Sequence, residues 1–275
     1  MVYLGLSLIC WLISMIKKPQ SGWTVLCYHG VQDDQAARFK QQMQYLAGRA
    51  VPVDRIGSET SGICLTFDDA FACVIDNVVP LVNCFQVPIA IFPVTDNFDA
   101  KPRWVMSDNH SEKDLRTMSK NEILSLCTHP LITFGSHTCT HPHLGQSTSE
   151  VVEQELENSR ESLANLTGKS PVDLALPHGS FNPLVLASAQ RIGYRRIYTL
   201  EPRVNRELPN DGRVGRFSVD PDMWWIEFQL TISGAYGYLL PFRKGIERLR
   251  FWKNPVANSP SSARPMSEAV FREPT

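Results

Sequence analysis

Short apolar runs, each closed by polar residues, alternate along this chain with segments of helical period. Trp23-Thr24-Val25-Leu26-Cys27-Tyr28 reads as a buried strand ended by His29-Gly30. Residues 36–47 carry Phe39, Met43, Leu46 and Ala47 at helical spacing. Ile63–Phe67 is a second strand, and Phe71–Val82 is expected to form one helix that stops near Asn83. Val87–Phe92 is a third strand. Residues 95–118 are polar and irregular, the pattern of an inserted loop. Ser119-Lys120-Asn121-Glu122 has the form of a capping box ahead of Ile123, Leu124 and Leu126. Leu131–Phe134 is a fourth strand. Ser149 opens a long helix through Val151, Val152, Leu156, Leu163 and Leu166, closed by Gly168. Val172–Leu176 is a fifth strand, residues 183–192 are helical, and Arg196–Leu200 is a sixth strand. Trp224–Leu240 reads as helix. Strands alternating with helices predict an α/β fold with a parallel sheet.

Polar residues cluster where these strands end. Thr66-Phe67-Asp68-Asp69-Ala70 closes the second strand with adjacent carboxylates. Neighbouring side chains on a strand point to opposite faces, so both can enter one site only if the chain turns there. The fourth strand runs into Gly135-Ser136-His137-Thr138-Cys139-Thr140-His141-Pro142-His143. His137 and His141, four apart, suit chelation of a metal by one tight turn. An aspartate and two histidines make a three-ligand divalent-metal site with an open position. Zn²⁺ is the first expectation, with Co²⁺ or Ni²⁺ as alternatives. The other aspartate is free to act as a base, which describes a metal-assisted hydrolase. Pro142 interrupts the register before His143, which is not expected to be a ligand. Thr138 and Thr140 are candidates to hold the imidazole tautomers. His110 and His129 are expected on surface loops.

Bulk properties narrow the class. The 275 residues suffice for one large domain, and 27 basic against 28 acidic side chains leave a net charge of −1. That balance does not describe a nucleic-acid partner. The 7 cysteines are odd in number and include no CxxC, the pattern of buried free thiols in a reducing compartment, with an extracellular protein holding some disulfides as the alternative.

The ends differ from the middle. Residues 1–20 are an apolar helix or anchor: Met1–Ile16 is apolar apart from Ser7 and Ser14, and Lys17-Lys18 closes it. It is shorter than the ~20 residues of an ordinary spanning helix. A cytoplasmic location or the cytoplasmic face of a membrane is expected, with an exported, anchored protein as the alternative. Residues 241–275 hold a basic and aromatic segment, Arg243–Lys253, followed by a Ser- and Pro-rich tail of the disordered type. Together the ends suggest peripheral or anchored contact with a membrane surface.

On its motifs, about residues 23–220, within an expected catalytic domain of 21–240, resemble the polysaccharide deacetylase family, the NodB-homology group of carbohydrate esterase family four. Thr66–Ala70 is similar to the TFDDG motif, with Ala70 in place of glycine. Gly135–His141 is similar to the H-[ST]-x-x-H motif, and Leu174–Gly179 to a variant third motif, FAYPYG. The early Tyr28-His29-Gly30-Val31 is similar to the YH-x-V of exopolysaccharide-type members. The resemblance implies a distorted (β/α) barrel of about seven βα units that removes acetyl groups from N-acetylated sugars. It implies Asp69, His137 and His141 as metal ligands and Asp68 as general base. It implies Pro177, His178 and Gly179 at the oxyanion, with the His178 N–H holding it. Two family features are missing. Ala175 stands where an arginine usually braces the base, and no histidine follows His178 to serve as general acid. His29 is the nominated substitute acid. The alternatives are a carbohydrate O-acetyl esterase and a catalytically silent carbohydrate-binding relative.

Overall fold

The computed structural model describes residues 22–58, 61–106 and 110–234. The expected segments 1–20 and 241–275 lie outside them. Among the described residues no helix is long and apolar enough to cross a membrane.

Eight strands occur among the described residues: β1 Trp23–Tyr28, β2 Gly62–Asp69, β3 Ile89–Pro93, β4 Ile132–Phe134, β5 Asp173–Ala175, β6 Arg196–Thr199, β7 Arg213–Gly215 and β8 Phe217–Ser218. The helices are α1 Ala36–Leu46, α2 Cys73–Asn77, α3 Val79–Phe85, α4 Lys120–Leu126, α5 Ser149–Thr167, α6 Pro183–Ile192 and α7 Trp225–Ile232. Five strands form one sheet in the order β4-β3-β2-β1-β8, and three form a second, β5-β6-β7. All neighbours are parallel. A parallel bridge between Ser136 and Leu174 brings the end of β4 to β5. At the other seam a single residue, Arg216, carries the chain from β7 in one sheet to β8 in the other. The two sheets thereby close into a distorted barrel.

Strand alternation sorts the side chains. Val25, Cys64, Ala90, Ala175, Tyr198 and Val214 fill the barrel interior, where Phe92 packs edge-on to Tyr198 with ring centroids 5.3 Å apart. Leu26, Tyr28, Leu65, Phe67, Ile89 and Ile91 face outward onto Phe39 and Met43 of α1 and onto Val74, Val78 and Val82. All six residues of β1 are buried, as a strand covered on both faces requires. On β2 the same alternation turns Thr66 and Asp68 inward with Cys64.

Three expectations are corrected. The helix expected over Phe71–Val82 is two helices, Cys73–Asn77 and Val79–Phe85. Pro80 has no N–H to continue the first and is accommodated in the first turn of the second. Strands β7 and β8 were not anticipated. They have three and two residues, too few to show a period. The cysteines are only partly buried: Cys27, Cys64 and Cys139 are, Cys73 and Cys127 are intermediate, and Cys84 is exposed. All six of these are free thiols.

Other local readings coincide with the structure. Ser119 Oγ accepts from Glu122 N at 3.2 Å while Glu122 Oε2 accepts from Ser119 N at 2.6 Å, so the capping box closes from both sides. Gly168 ends α5 in the left-handed region at φ 73°. The helix expected over Trp224–Leu240 is Trp225–Ile232 within the described residues.

Gly135 sits where β4, β3 and β5 converge. A Cβ there would fall on the Phe92 ring and within 2.9 Å of the Asp173 carbonyl oxygen. Gly135→Ala is expected to lose about 1–3 kcal/mol to overpacking. Urea unfolding checks this: the midpoint falls while the slope is kept, and an unchanged midpoint would contradict the packing described.

Candidate metal centre and active site

The two carboxylates reach one site because the chain turns between them. Asp68 points inward as its strand position dictates. Asp69 adopts φ 64° and Ala70 φ 52°, and Ala70 N donates to Asp68 O at 2.8 Å. This is a γ-turn centred on Asp69, a strained conformation. It brings the second carboxylate back toward the barrel mouth. Thr138 at φ 68° and His141 at φ 65° bend the histidine segment in the same left-handed way.

The carboxylates have opposite partners. Arg216 Nη1 donates to Asp68 Oδ1 and Nη2 to Oδ2, both at 2.7 Å, in a two-pronged ion pair. Arg216 is 0% exposed and Asp68 2%. Arg216 also donates to Thr66 Oγ1 at 3.1 Å and to the Thr199 carbonyl at 3.3 Å, and the Cys27 thiol donates to Asp68 Oδ2 at 3.4 Å. Burial alone would raise the Asp68 carboxyl. The Arg216 charge and hydrogen bonds, with help from His137, override it and hold that carboxyl well below the usual range.

Asp69 is also 2% exposed, but its Oδ1 has no hydrogen-bond partner. Burial, then the Asp68 charge and Glu112, push its carboxyl well above the usual range. Oδ1 lies 3.6 Å from His137 Nε2 and 3.5 Å from His141 Nε2. Those separations are too long for hydrogen bonds. They match ligands shared by one cation, since tetrahedral ligands ~2.1 Å from an ion lie roughly 3.4 Å apart. His137 Nδ1 is 2.8 Å from the Ala175 carbonyl oxygen. A carbonyl only accepts, so Nδ1 carries the proton and the Nε2 lone pair faces Asp69. Burial lowers the His137 imidazole to about 4 and the His141 imidazole to about 2, keeping both neutral as ligands must be. A buried, unpartnered carboxylate oxygen facing two neutral imidazoles fits a divalent cation.

The remaining nominated residues arrange themselves around this centre. His29 is half-buried at the end of β1, and Cys27, His29 and Asp68 place donor atoms within 4.8 Å of one another. A cavity of about 260 Å³ is lined by His29, Asp68, Asp69, His137, His141 and His178, among others. His178 takes φ 56° and Gly179 φ 61° in a turn after β5. Pro177 and Gly179 build that turn and do not line the cavity; a Cβ on Gly179 would meet Leu200 N at 2.9 Å. The His143 ring stacks on His178 at 3.8 Å, and the His178 ring stands edge-on to His141 at 4.6 Å. His143 thus abuts the site without belonging to the three-ligand cluster. His129 binds Asn83 at 2.8 Å, away from the centre. His110 is exposed, as a surface-loop residue should be, but it also lines the cavity.

Several contributors carried no usable sequence signal. Arg216 braces Asp68 where the sequence lacks an arginine at Ala175, and it sits between two strands too short to recognise. Ala175 itself contributes its carbonyl to His137. The polar segment before α4 supplies Trp104, Val105, Met106 and Glu112 to the cavity rim. The Trp104 ring stacks on His141 at 4.6 Å, and Glu112 Oε1 accepts from Gly30 N at 2.8 Å.

The family model for polysaccharide deacetylase matches residues 57–197, just over half of the 275-residue chain. The chain belongs to the polysaccharide deacetylase family. It is 24% identical over 156 residues to the chitooligosaccharide deacetylase of Rhizobium leguminosarum bv. trifolii, covering 56% of this chain and 63% of that protein. It is 21% identical over 160 residues to the poly-beta-1,6-N-acetyl-D-glucosamine N-deacetylase of Staphylococcus aureus, covering 58% of this chain and 55% of that one. The aligned stretch thus spans less than two thirds of either relative. The fold is similar to that of IcaB from Ammonifex degensii, with TM-score 0.65, 22% identity and coverage of 77% of this chain and 97% of that one. It is also similar to the Streptococcus pyogenes deacetylase PplD, with TM-score 0.62, 17% identity and coverage of 78% and 99%.

His137→Ala is expected to remove stoichiometric divalent cation from the purified protein. Elemental analysis checks this, and full occupancy in the variant would contradict the assignment.

Proposed function

We propose that this family member removes acetyl groups from N-acetylated sugars of a glycan, using a divalent cation held by Asp69, His137 and His141. The observation that carries this reading is the contrast between two adjacent buried carboxylates. One is pinned as an ion by Arg216; the other is left without a partner opposite two imidazoles. Zn²⁺ suits two nitrogens and one oxygen with an open position, and Co²⁺ and Ni²⁺ are the alternatives. The relatives' names point to polymers of N-acetylglucosamine as the substrate class.

Hydrolysis of the acetamide adds water across the C–N bond, giving acetate and a free sugar amine. The cation would lower the pKa of a bound water from about 15.7 toward ~7 and polarise the acetyl carbonyl. Asp68 takes the proton of the attacking water. Its two oxygens offer about four lone-pair sites, and Arg216 and Cys27 occupy three. One remains for the water. Pairing with Arg216 weakens Asp68 as a base but keeps it deprotonated and fixed in direction. The N–H of His178, in its left-handed turn, faces the developing oxyanion, an interaction worth roughly 3 kcal/mol. His29, across the cavity beside Asp68, gives a proton to the leaving nitrogen as the C–N bond breaks.

Acetate release from N-acetylglucosamine oligomers tests the proposal. Asp68→Asn should keep the cation and lose on the order of 10²–10⁴ in rate, because an amide cannot take the proton. His29→Ala should remove the basic limb of the pH–rate profile while sparing the cation. Normal turnover by Asp68→Asn, or no acetate from the loaded wild type, would contradict this function.

A further inference from the structure

The histidine turn is strained, and its geometry has to be imposed from outside. Thr138 and His141 both lie in the left-handed region, at φ 68° and 65°. For the β-branched Thr138 this is an unfavourable conformation that persists only where the surroundings over-determine it. Part of the hold comes from within. Thr138 N donates to Ser136 Oγ at 3.1 Å, and His141 N to Thr138 Oγ1 at 3.2 Å. The outer edge is held by Thr95 N and Asp96 N, which donate to the Thr138 and Cys139 carbonyls, each at 3.0 Å.

The two N–H groups between the ligands turn the other way, onto one carboxylate of α5. Glu155 Oε2 accepts from Cys139 N at 2.8 Å and from Thr140 N at 3.0 Å, and Oε1 accepts from Thr140 Oγ1 at 2.6 Å. Glu155 is 9% exposed, so its carboxyl group is spent on this turn and not on solvent. Consecutive backbone N–H groups converging on one anion form a rigid concavity. The anion here is the protein's own, and the strained turn closes around it.

We infer that Glu155 is a positioning residue for the metal centre: by clamping Cys139 and Thr140 it fixes the turn that aims His141 at Asp69. This rests on the reading of Asp69, His137 and His141 as ligands. The clamp joins α5, a rigid nineteen-residue helix, to the one ligand whose Nδ1 has no partner of its own. His137 is oriented by the Ala175 carbonyl; His141 has no such hydrogen bond, so its aim depends on the backbone turn together with the rings of Trp104 and His178 packed against it.

Competition between the protein and a chromophoric chelator for Zn²⁺ tests this, with folding followed by circular dichroism. Glu155→Ala should fold and bind Zn²⁺ 10–100-fold more weakly, the usual effect of losing a group that orients a ligand. Glu155→Gln should lose less, since its amide oxygen still accepts both N–H groups and its NH₂ can donate to Thr140 Oγ1. Thr140→Val removes one of the three donors from an exposed position and should weaken binding several-fold; it reads the same contact if Glu155→Ala does not fold. A purely structural role would lower the melting temperature and leave the affinity of the folded protein intact. Wild-type Zn²⁺ affinity in folded Glu155→Ala or Thr140→Val, with His137→Ala devoid of metal, overturns the role of Glu155 alone. A wild type that binds no Zn²⁺ overturns the ligand set and this role together.

Discussion

The centre depends on the buried pair between Asp68 and Arg216. Two carboxylates on consecutive residues, both removed from water, would repel each other and share a proton. The guanidinium breaks that symmetry. It commits Asp68 to the ionised state and leaves Asp69 as the carboxyl group that burial disfavours most as an ion. A cation between Asp69 and the two imidazoles, as proposed, would resolve what the fold leaves unresolved. Removing one partner from a buried pair of this kind typically costs about 3–5 kcal/mol, so the same contact serves stability and, on the proposed function, chemistry. It also seals the barrel, because Arg216 is the residue by which the chain passes from β7 to β8.

The surrounding backbone is arranged to serve this division of labour. Of the seven non-glycine residues at positive φ among the described residues, five (Asp69, Ala70, Thr138, His141 and His178) belong to the segments that follow β2, β4 and β5 and build the site, while Gln86 and Asp99 lie elsewhere. Their concentration there is what a strained functional site requires, and the strain is opposed by hydrogen bonds from rigid elements. Glu155 on α5, Ala175 on β5 and Glu112 on the β3–α4 segment each fix a different part of the rim. A barrel whose strands all point the same way delivers these groups from distant stretches of sequence to one face.

Much of this was legible in the sequence, and what was not has physical reasons. Adjacent aspartates after an apolar run demanded a turn, and the structure has one at Asp69. Two histidines four apart after another strand announced chelating geometry, and their Nε2 atoms do converge on Asp69. The absence of the usual arginine at Ala175 was also readable. Its replacement was not: Arg216 is 0% exposed, against every expectation for an arginine, and the strands flanking it have three and two residues. Glu155 reads as one more polar position on an amphipathic helix until that helix docks on the histidine turn. The 95–118 segment gave no periodic signal, and its described residues form neither helix nor strand. Composition cannot say that an irregular segment folds over a cavity and lays Trp104 on His141.

The division between the two carboxylates can be measured directly. Carbon-13 titration of the side-chain carboxyls of Asp68 and Asp69 in metal-free protein reports each protonation state. Asp68 has its folded-state pKa depressed, so the stability its pair supplies is present above the ordinary carboxylate range and is lost as pH falls. Asp69 has its folded-state pKa raised, so its contribution runs the other way and is lost as pH rises. The prediction is that Asp68 stays ionised from about pH 8 down past 4, while Asp69 holds its proton well above the ordinary range. Zn²⁺ should then ionise Asp69 without moving Asp68. Two carboxyls titrating together near the ordinary value, or Asp68 taking the proton first, would contradict the account.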